Sequence, residues 1–275
     1  MERLFTVDAK KCMKDAACVK VCPLNLIVMK DSESLPEPVE KAERQCINCG
    51  HCTAICTNDA LSLRGKPPEQ CPTVDHRQLP TEAQAKLFLT ARRSVRVYEE
   101  EPVEQAKLAE IIDTARYAPS GINSQPVRWL VIMDPQEVKR LTGMVIDWMR
   151  LVIVEQPDIA RNFNMKRMVE EWEQGIDRIC RNAPHIIVAH APESLGTSQS
   201  SCTIALTYLE LAAFANGLGA CWAGFFHTAT MYYPPMAEAL KLPDGHKCFG
   251  AMLIGYPQYQ YHRLPLRKAA SITWR

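Results

Sequence analysis

The sequence predicts an α+β protein in two parts: a small cysteine-rich N-terminal module and a larger domain of long helices and few strands. Seven of the 12 cysteines fall within the first 56 residues. A proline-rich stretch follows, and beyond it apolar stripes at helical spacing alternate with short apolar runs. We predict the module over residues 1–66, a linker over 67–84 and the second domain over 85–275.

The composition argues against several classes of partner. The 275 residues are 47% hydrophobic and 23% charged, with a formal net charge of +1. This balance includes no excess of positive charge that would argue for nucleic acid or an anionic membrane as a partner. No apolar run approaches the roughly 18 residues of a membrane-spanning helix, and residues 1–11 do not have the pattern of a signal peptide. We therefore expect a cytoplasmic protein without nucleic-acid or membrane partners.

Helices and strands of the second domain are predicted from capping signals and periodicity. Thr81 and Gln84 have capping-box spacing, so a helix begins there. Pro102 suits the first position of a second helix, which should end before Pro119. Residues 136–181 are mostly helical with a break near residue 157, and a later helix is closed by the glycine at 217. The predicted strands are 129–133, 186–189, 221–226 and 248–254.

The cysteines from Cys46 to Cys56 have the spacing C-x2-C-x2-C-x3-C. Three thiolates at this spacing can bind three corners of one iron–sulfur cubane, and the fourth is carried to a second cluster in two-cluster ferredoxins. Gly50 provides the backbone freedom that so tight a loop requires. A zinc site would be expected to use two separated C-x2-C pairs instead. The spacing therefore predicts iron–sulfur ligation.

A second frame, Cys12 to Cys22 followed by Pro23, repeats this spacing, with Asp15 in place of the second cysteine. Together the frames resemble the duplicated pattern of bacterial ferredoxins, apart from Thr57, where a proline is usual. The resemblance implies one 4Fe-4S cluster on Cys22, Cys46, Cys49 and Cys52, and another cluster on Cys12, Cys18 and Cys56.

Three interpretations of Asp15 remain open at this point. In the first, its carboxylate ligates the fourth iron of a 4Fe-4S cluster. In the second, that iron is labile and its loss leaves a 3Fe-4S cluster. In the third, Asp15 is a solvated surface acid beside an incomplete site. A carboxylate is a harder ligand than a thiolate, so it should hold the soft iron–sulfur core less tightly.

Four segments of the second domain resemble the signatures of FMN-dependent nitroreductases, in the right order and spacing. They are Arg92-Arg93-Ser94-Val95-Arg96-Val97-Tyr98, Ala118 to Pro126, Gly217 to Phe225, and Gly255-Tyr256-Pro257 with Arg263-Leu264-Pro265 and Arg267. With the cysteine frames in front, the whole chain is similar to ferredoxin–nitroreductase fusions.

The resemblance implies where FMN would bind. Guanidinium groups bind phosphate in bidentate fashion, which makes Arg92, Arg93 and Arg96 candidates for the FMN phosphate, with Ser94 between them and Arg263 or Arg267 closing the site. The loop residues implied to contact the isoalloxazine and ribityl groups are Pro119, Ser120, Gly121, Asn123 and Gln125. Ala223 and Gly224 lie where the family places backbone N–H groups near flavin N5, and Trp222 before them is a further candidate for FMN binding. Because family members assemble each site from two subunits, a homodimer is expected.

The predicted function is electron transfer to a small molecule. An external donor, reduced ferredoxin or flavodoxin, would supply electrons through the clusters to FMN, and NAD(P)H is the other candidate donor, which needs no cluster to reduce the flavin. A nitro compound, quinone, activated alkene or similar electrophile would accept them. The flavin carries the chemistry, so no protein nucleophile is required. The alternative is an electron-transfer or redox-sensing flavoprotein whose partner is another protein.

A pocket beside the flavin, walled by residues from Trp148 to Trp172, would favour the enzyme over that alternative. No complete dinucleotide fingerprint is present, since the glycines at 217 and 219 lack the third glycine and the strand–turn–helix context. His185, His190 and His227 have no ligand-spaced partner, and we interpret them as structural or surface residues.

Overall fold

A computed structural model of the chain describes residues 3–275 and divides it into two compact units. The first extends to Leu79 and includes Ile122–Ser124, and the second comprises Pro80–Gly121 and Gln125–Arg275. Residues 1 and 2, which belong to the predicted module and to the N-terminal segment considered for a signal peptide, lie outside the described residues. Both units mix short or long helices with antiparallel strands, and the predicted α+β class is confirmed.

The first unit contains only short elements. They are β1 (Phe5–Val7), α1 (Ala17–Val21), β2 (Ile27–Val28), β3 (Glu37–Pro38), α2 (Ala42–Gln45), α3 (His51–Ala54) and β4 (Leu61–Leu63), followed by single 3-10 turns at Pro68–Gln70 and His76–Gln78. Antiparallel pairing joins β1 to β4 and β2 to β3. A small apolar core includes Phe5, Leu26 and Leu61. Cys18 and Cys52 are buried within it, which places cysteine sulfur at the centre of the unit.

The second unit carries the longer elements. They are α4 (Glu82–Ala91), α5 (Gln105–Ala115), β5 (Arg128–Ile132), α6 (Pro135–Glu155), α7 (Pro157–Asn162), α8 (Met165–Glu173), β6 (His185–Pro192), α9 (Ser198–Ala215), β7 (Gly219–Trp222), α10 (Gly224–Tyr232), α11 (Pro234–Ala239) and β8 (His246–Gly255). A single 3-10 turn lies at Gly121–Asn123.

One antiparallel sheet, in the order β5-β6-β8-β7, forms the middle layer of the second unit. Successive side chains of a strand point to opposite faces, and both faces of this sheet are buried. Ile186 and Val188 of β6 pack into a core with α6 and α10. Ile187 and Ala189 pack into a second core with α5 and α9. The sheet is therefore sandwiched between two helical layers.

Most element predictions for this unit are confirmed, and two need correction. Thr81 and Gln84 form the predicted capping box at the start of α4. Pro102, however, does not begin α5, because the backbone N–H of Val103 bonds to His185 Nε2 at 2.8 Å and the helix begins at Gln105. The predicted strand 221–226 ends at Trp222, and α10 begins at Gly224. Periodicity alone does not separate a short buried strand from a buried helical turn.

Among the described residues, no helix is long and apolar enough to cross a membrane. Residues 259–275 contain no helix or strand and are exposed throughout. Several large apolar side chains lie in this segment, including Tyr259, Leu266 and Trp274.

Candidate functional site

A cavity of about 1040 Å³ lies within the second unit. Arg96, Trp222 and Gly224 line one part of it, and they belong to segments that resemble the nitroreductase signatures. Other lining residues come from α6, α7, α8 and the turn between α7 and α8, and include Trp148, Phe163, Met168 and Glu171. Trp172 does not line the cavity. Its side chain lies 3.8 Å from the position that a Cβ on Gly143 would occupy.

The arginine-rich segment runs beside β7. Ser94 pairs with Ala220 in a parallel bridge, and the N–H of Val95 donates to the Ala220 carbonyl at 2.9 Å. The hydroxyl of Tyr98, which is buried, donates to the Val95 carbonyl at 2.8 Å and fixes the turn that follows. These bonds hold Arg96 next to the end of β7, where Trp222 leads into α10.

Gly219 allows this close approach. A Cβ at Gly219 would lie 2.7–2.8 Å from the Cβ, Cγ1 and Cγ2 atoms of Val95, so Gly219→Ala should push the arginine segment away from β7. We expect the variant to retain its fold but to lose most of its bound flavin, as measured by the flavin-to-protein ratio.

Gly143→Ala is the matched control. Gly143 lies inside α6, and its added Cβ would make only an ordinary 3.8 Å contact with Trp172. This change should leave flavin content unaltered and stabilise the helix by up to about 1 kcal/mol. Val95→Ala removes two of the three close contacts and should partly restore flavin to Gly219→Ala. Full flavin content in Gly219→Ala itself would contradict this role of the close packing.

Arg92 is anchored by a carboxylate that sequence reasoning missed. Its Nη1 lies 2.6 Å from Oε1 of Glu210 on α9. The Glu210 side chain is 8% exposed and that of Arg92 is 26% exposed. Glu210 directly follows Leu209 on the buried stripe of α9. A charged residue on an apolar stripe was the one available signal, because a buried charge requires a partner.

The start of α10 borders the same cavity, since Gly224 and Phe225 both line it. The first N–H groups of a helix have no acceptor within the helix and carry partial positive charge. Electron density that develops at this point of the cavity would therefore be stabilised by backbone donors rather than by a side chain.

The loop residues assigned to FMN by resemblance do not line this cavity. Ser120 Oγ accepts a hydrogen bond from the Gln125 N–H at 2.9 Å. Ile122, Asn123 and Gln125 all adopt positive φ, so the loop is tightly folded. Gly121 fits because a Cβ there would lie 2.4 Å from Thr197 Cγ2. Pro119 is exposed.

Asn123 belongs to the first unit and contacts its cysteine frame. The Nδ2 group donates to the carbonyls of Ile47 and Asn48, each at 3.1 Å. These carbonyls lie between Cys46 and Cys49. The structure thus joins one residue of the predicted flavin loop to the backbone of a predicted cluster loop.

Arg93 is partly exposed, and Arg263 and Arg267 are exposed. Within residues 3–275 no ion pair joins any of the three to a carboxylate. Ala223 is buried, and its N–H donates to the Ala251 carbonyl at 2.9 Å. That N–H is therefore already satisfied by β8, which leaves the N–H of Gly224 as the donor nearer the cavity.

In the first unit the predicted ligands separate into two sets around two small cavities. One cavity is lined by Cys22, Cys46, Cys49 and Cys52. The other is lined by Cys12, Asp15, Cys18 and Cys56. This partition crosses the two frames in the way the ferredoxin resemblance implies, since Cys22 joins the second frame and Cys56 joins the first.

Backbone N–H groups point at the sulfur atoms in both halves. Cys22 Sγ accepts from the Leu26 N–H and Cys56 Sγ from the Ala60 N–H, each at 3.3 Å. Burial raises the pKa of the Cys52 thiol to about 11 and also raises that of Cys18. Ligation by iron would offset the cost of burying these sulfurs as charged thiolates.

The donor sets fit clusters better than single ions. Within residues 3–275 no three histidine, cysteine or acidic side chains converge on a single metal ion. A cubane presents its irons at separate corners, so it accepts thiolates that stand farther apart than the ligands of one ion.

Two of the three histidines, His185 and His190, have structural partners. His185 is fully buried, accepts from the Val103 N–H and lies 3.0 Å from the Met133 carbonyl through Nδ1. His190 and His246 meet at an Nδ1–Nδ1 distance of 2.9 Å, a pairing that the sequence did not indicate. His227 is partly buried. Desolvation lowers the pKa of His185, His190 and His227.

Comparison with known proteins finds a family match in each of two separate parts of the chain. The model of the Nitroreductase family matches residues 89–256, and that of the 4Fe-4S dicluster domain matches residues 10–61. A NADH dehydrogenase of Thermus thermophilus is 28% identical over 207 residues, which cover 70% of this chain and 96% of the relative. An iodotyrosine deiodinase of Thermotoga neapolitana is 26% identical, covering 60% and 84% of the two chains.

The solved structures agree on the fold. A nitroreductase of Bacteroides fragilis, crystallised with bound FMN, is 20% identical with a TM-score of 0.57, covering 70% of this chain and 98% of that chain. The family match spans more than half of the sequence, and its bounds enclose the sheet, the arginine segment and the cavity. The chain therefore belongs to the nitroreductase family of FMN-dependent oxidoreductases and carries an N-terminal 4Fe-4S dicluster domain.

Proposed function

We propose that electrons from an external one-electron carrier enter at the iron–sulfur module and reach a small electrophilic acceptor through FMN. The acceptor class is a nitro compound, quinone, activated alkene or similar electrophile. The donor we favour is reduced ferredoxin or flavodoxin, with NAD(P)H as a second route. Covalent linkage of the cluster module to the flavin domain raises the effective concentration of the electron donor at the flavin.

The observation that carries an enzymatic function is the cavity of about 1040 Å³. Small-molecule sites are concave, largely apolar and contain a few placed polar groups. Trp148, Phe163 and Met168 supply apolar surface here, and Arg96 supplies charge. A carrier that exchanges electrons only with proteins needs an exposed flavin edge but no pocket of this size. The cavity thus favours the enzyme over the electron-transfer or redox-sensing alternative.

The residues of this cavity fit FMN. Arg96 supplies a guanidinium for the phosphate, Arg92 and Ser94 lie on the same segment, and Gly224 presents the start of α10. Trp222 supplies a flat apolar surface that is 39% exposed. When bound, FMN supplies the redox chemistry, and the chain orients it and the acceptor and excludes water.

An acceptor screen tests this function. Anaerobically purified protein, chemically reduced, should reoxidise with members of the proposed acceptor class. We expect turnover with at least one of a nitroaromatic, a quinone and an activated alkene. Absence of turnover with all three, together with fast electron exchange with a carrier protein, would favour the alternative.

For the second cluster we propose that Asp15 occupies a ligand position. The two frames have matching backbones: Lys14 and Ala16 have φ of 56° and 58°, and the corresponding Asn48 and Gly50 have φ of 51° and 79°. Alanine adopts this conformation at a cost, yet Ala16 retains it. Asp15 therefore stands on the same loop conformation as Cys49 and lines its cavity. Its Oδ1 accepts from the Ala17 N–H at 2.9 Å, which leaves Oδ2 available in the described part of the chain.

Iron analysis tests the cluster assignment. Anaerobically prepared protein should contain about seven or eight irons, from one cubane and a three- or four-iron cluster. Asp15→Cys should raise the content to about eight and remove any 3Fe-4S signal from the electron paramagnetic resonance spectrum. Asp8→Asn is the matched control, because Asp8 Oδ1 also accepts an N–H two residues on, at 2.8 Å, but does not line the cavity. One zinc and no acid-labile sulfide would contradict the assignment.

We also propose a homodimer. Among the described residues, none of Ser120 to Gln125 lines the cavity that Arg96 lines, and neither do Arg263 and Arg267 of the exposed segment 259–275. A second copy would supply the missing contacts. FMN binding and dimerisation should then be linked by mass action, as light scattering at graded flavin content would show. A monomer that retains stoichiometric FMN would contradict this proposal.

A further inference from the structure

Four arginines and two glutamates, Glu155 and Glu171, line the cavity, so its lining carries a net positive charge, and two of the arginines are not held in ion pairs within the described part of the chain. Arg96 projects from the segment beside β7, and Arg181 lies in the loop before β6. Neither forms an ion pair with any carboxylate in residues 3–275. By contrast, Arg167 and Arg178 share Glu171, with Nε to carboxylate oxygen distances of 2.9 and 2.8 Å. An excess of positive charge in one cavity implies a negatively charged occupant.

The positive charges of Arg96 and Arg181 both act on the side chains of Cys221 and Tyr98. Burial raises the pKa of the Cys221 thiol and of the Tyr98 hydroxyl, and the positive charges of Arg96 and Arg181 oppose that rise at both groups. Glu210, the acidic group that also acts on Cys221, is already paired with Arg92. Two like charges in one neighbourhood repel each other, and an anion between them removes that cost.

The loop that carries Arg181 is held in a strained conformation. Arg181 and Asn182 have φ of 57° and 52°, a region that long side chains rarely adopt. Asp177 maintains it: Oδ1 accepts from the N–H groups of Ile179 and Cys180 at 2.8 and 2.9 Å, and Oδ2 accepts from Asn182 at 3.0 Å. Strain that the surroundings enforce is common where a side chain must be aimed at a ligand.

We propose that Arg181 is a second guanidinium ligand, beside Arg96, of the terminal phosphate of FMN. A phosphate group carries close to two negative charges and accepts several charge-assisted hydrogen bonds, which matches two arginines from separate elements. This inference rests on the proposed binding of FMN in the cavity. An anionic group on the acceptor is the other source of the same chemistry, and the experiment separates the two.

The test compares FMN with riboflavin, which lacks the phosphate. Full-length protein that retains its clusters is stripped of flavin and titrated with each compound under anaerobic conditions. Arg181→Gln should weaken FMN binding about tenfold or more and leave riboflavin binding unchanged, since one charge-assisted contact is lost. Arg181→Lys keeps the charge but not the bidentate fork, so its affinity for FMN should lie between that of the unaltered protein and that of Arg181→Gln.

Arg161→Gln is the matched control, because Arg161 lies on α7 near the cavity but does not line it and pairs with Asp158. This control should alter neither affinity. Unfolding temperatures establish that every variant is folded. Equal weakening of both flavins in Arg181→Gln, or unchanged FMN affinity, would overturn the assignment. Unchanged FMN affinity with a raised KM only for anionic acceptors would place the anion on the acceptor and also overturn it. If the unaltered protein binds neither flavin, the proposed function itself fails.

Discussion

Replacing Cys49 by serine is expected to abolish turnover with reduced ferredoxin while FMN remains bound. Cys49 lines the all-cysteine cavity of the first unit, and an alkoxide is a harder, less suitable ligand for iron–sulfur cores than a thiolate. If every electron from that donor passes through this cluster, activity should fall at least about 100-fold, equivalent to a barrier increase of about 2.7 kcal/mol. Turnover with NAD(P)H, if the unaltered protein supports it, should persist in the variant.

Cys71→Ser is the matched control for this experiment. Cys71 is exposed and lines neither cysteine cavity, so its replacement should leave iron content and ferredoxin-driven turnover unchanged. Iron analysis and the flavin-to-protein ratio are measured on both variants. Full ferredoxin-driven activity in Cys49→Ser, with its cluster demonstrably lost, would show that this cluster has only a structural role.

Replacing Arg92 by methionine is expected to destabilise the second unit by about 3 kcal/mol. The change leaves Glu210, whose side chain is 8% exposed, without its partner at 2.6 Å. Removing one member of a buried ion pair costs roughly 3–5 kcal/mol because an uncompensated charge stays behind. We place the expected effect at the low end, since the Arg92 side chain is 26% exposed. Chemical denaturation followed by fluorescence measures the change.

A double variant isolates the ion pair. Arg92→Met combined with Glu210→Leu removes both charges, and most of the lost stability should return. Arg140→Met is the control: Arg140 pairs with Glu137 on the surface of α6, both side chains being at least one-third exposed, and such pairs contribute about 0–1 kcal/mol. A loss in Arg92→Met no greater than in Arg140→Met would refute the buried-pair account.

The cluster module was accessible from sequence because its signal is local. Spacing within each frame predicts iron–sulfur ligation, and the resemblance to duplicated bacterial ferredoxins implies the exchange of Cys22 and Cys56 between the frames. In the structure each set lines its own cavity, and ligation of clusters by these residues stays a prediction. Asp15 was singled out for the same reason, since it occupies the position of a missing cysteine in an otherwise complete frame.

The cavity wall was predicted in part, and of the charged groups that matter for it only Arg96 was singled out from the sequence. The stretch from Trp148 to Trp172 was expected to wall a pocket, and lining residues do run from Trp148 to Glu171. The pair of Arg92 and Glu210 joins residues 118 positions apart, and no periodicity connects them. Arg181 was missed because its position depends on a loop shaped by the Asp177 carboxylate, which composition and spacing do not reveal.

The strand predicted over 221–226 illustrates a second limit. The run from Cys221 to Phe226 is apolar throughout, which suits either a buried strand or a buried helical turn. The chain turns at Ala223, whose N–H donates a hydrogen bond to the Ala251 carbonyl of β8, and α10 begins at Gly224. The consequence matters for function, because a helix start rather than a strand edge faces the cavity.

The order of electron transfer tests the central claim most directly. Oxidised full-length protein is mixed anaerobically with reduced ferredoxin, and cluster and flavin absorbance are followed in the same stopped-flow experiment. A relay requires the clusters to be reduced first and the flavin afterwards. As the flavin becomes reduced, the clusters should lose electrons, and this cluster reoxidation should have the same rate constant as flavin reduction. Flavin reduction that precedes cluster reduction, or proceeds at the same rate in Cys49→Ser, would contradict entry at the iron–sulfur module.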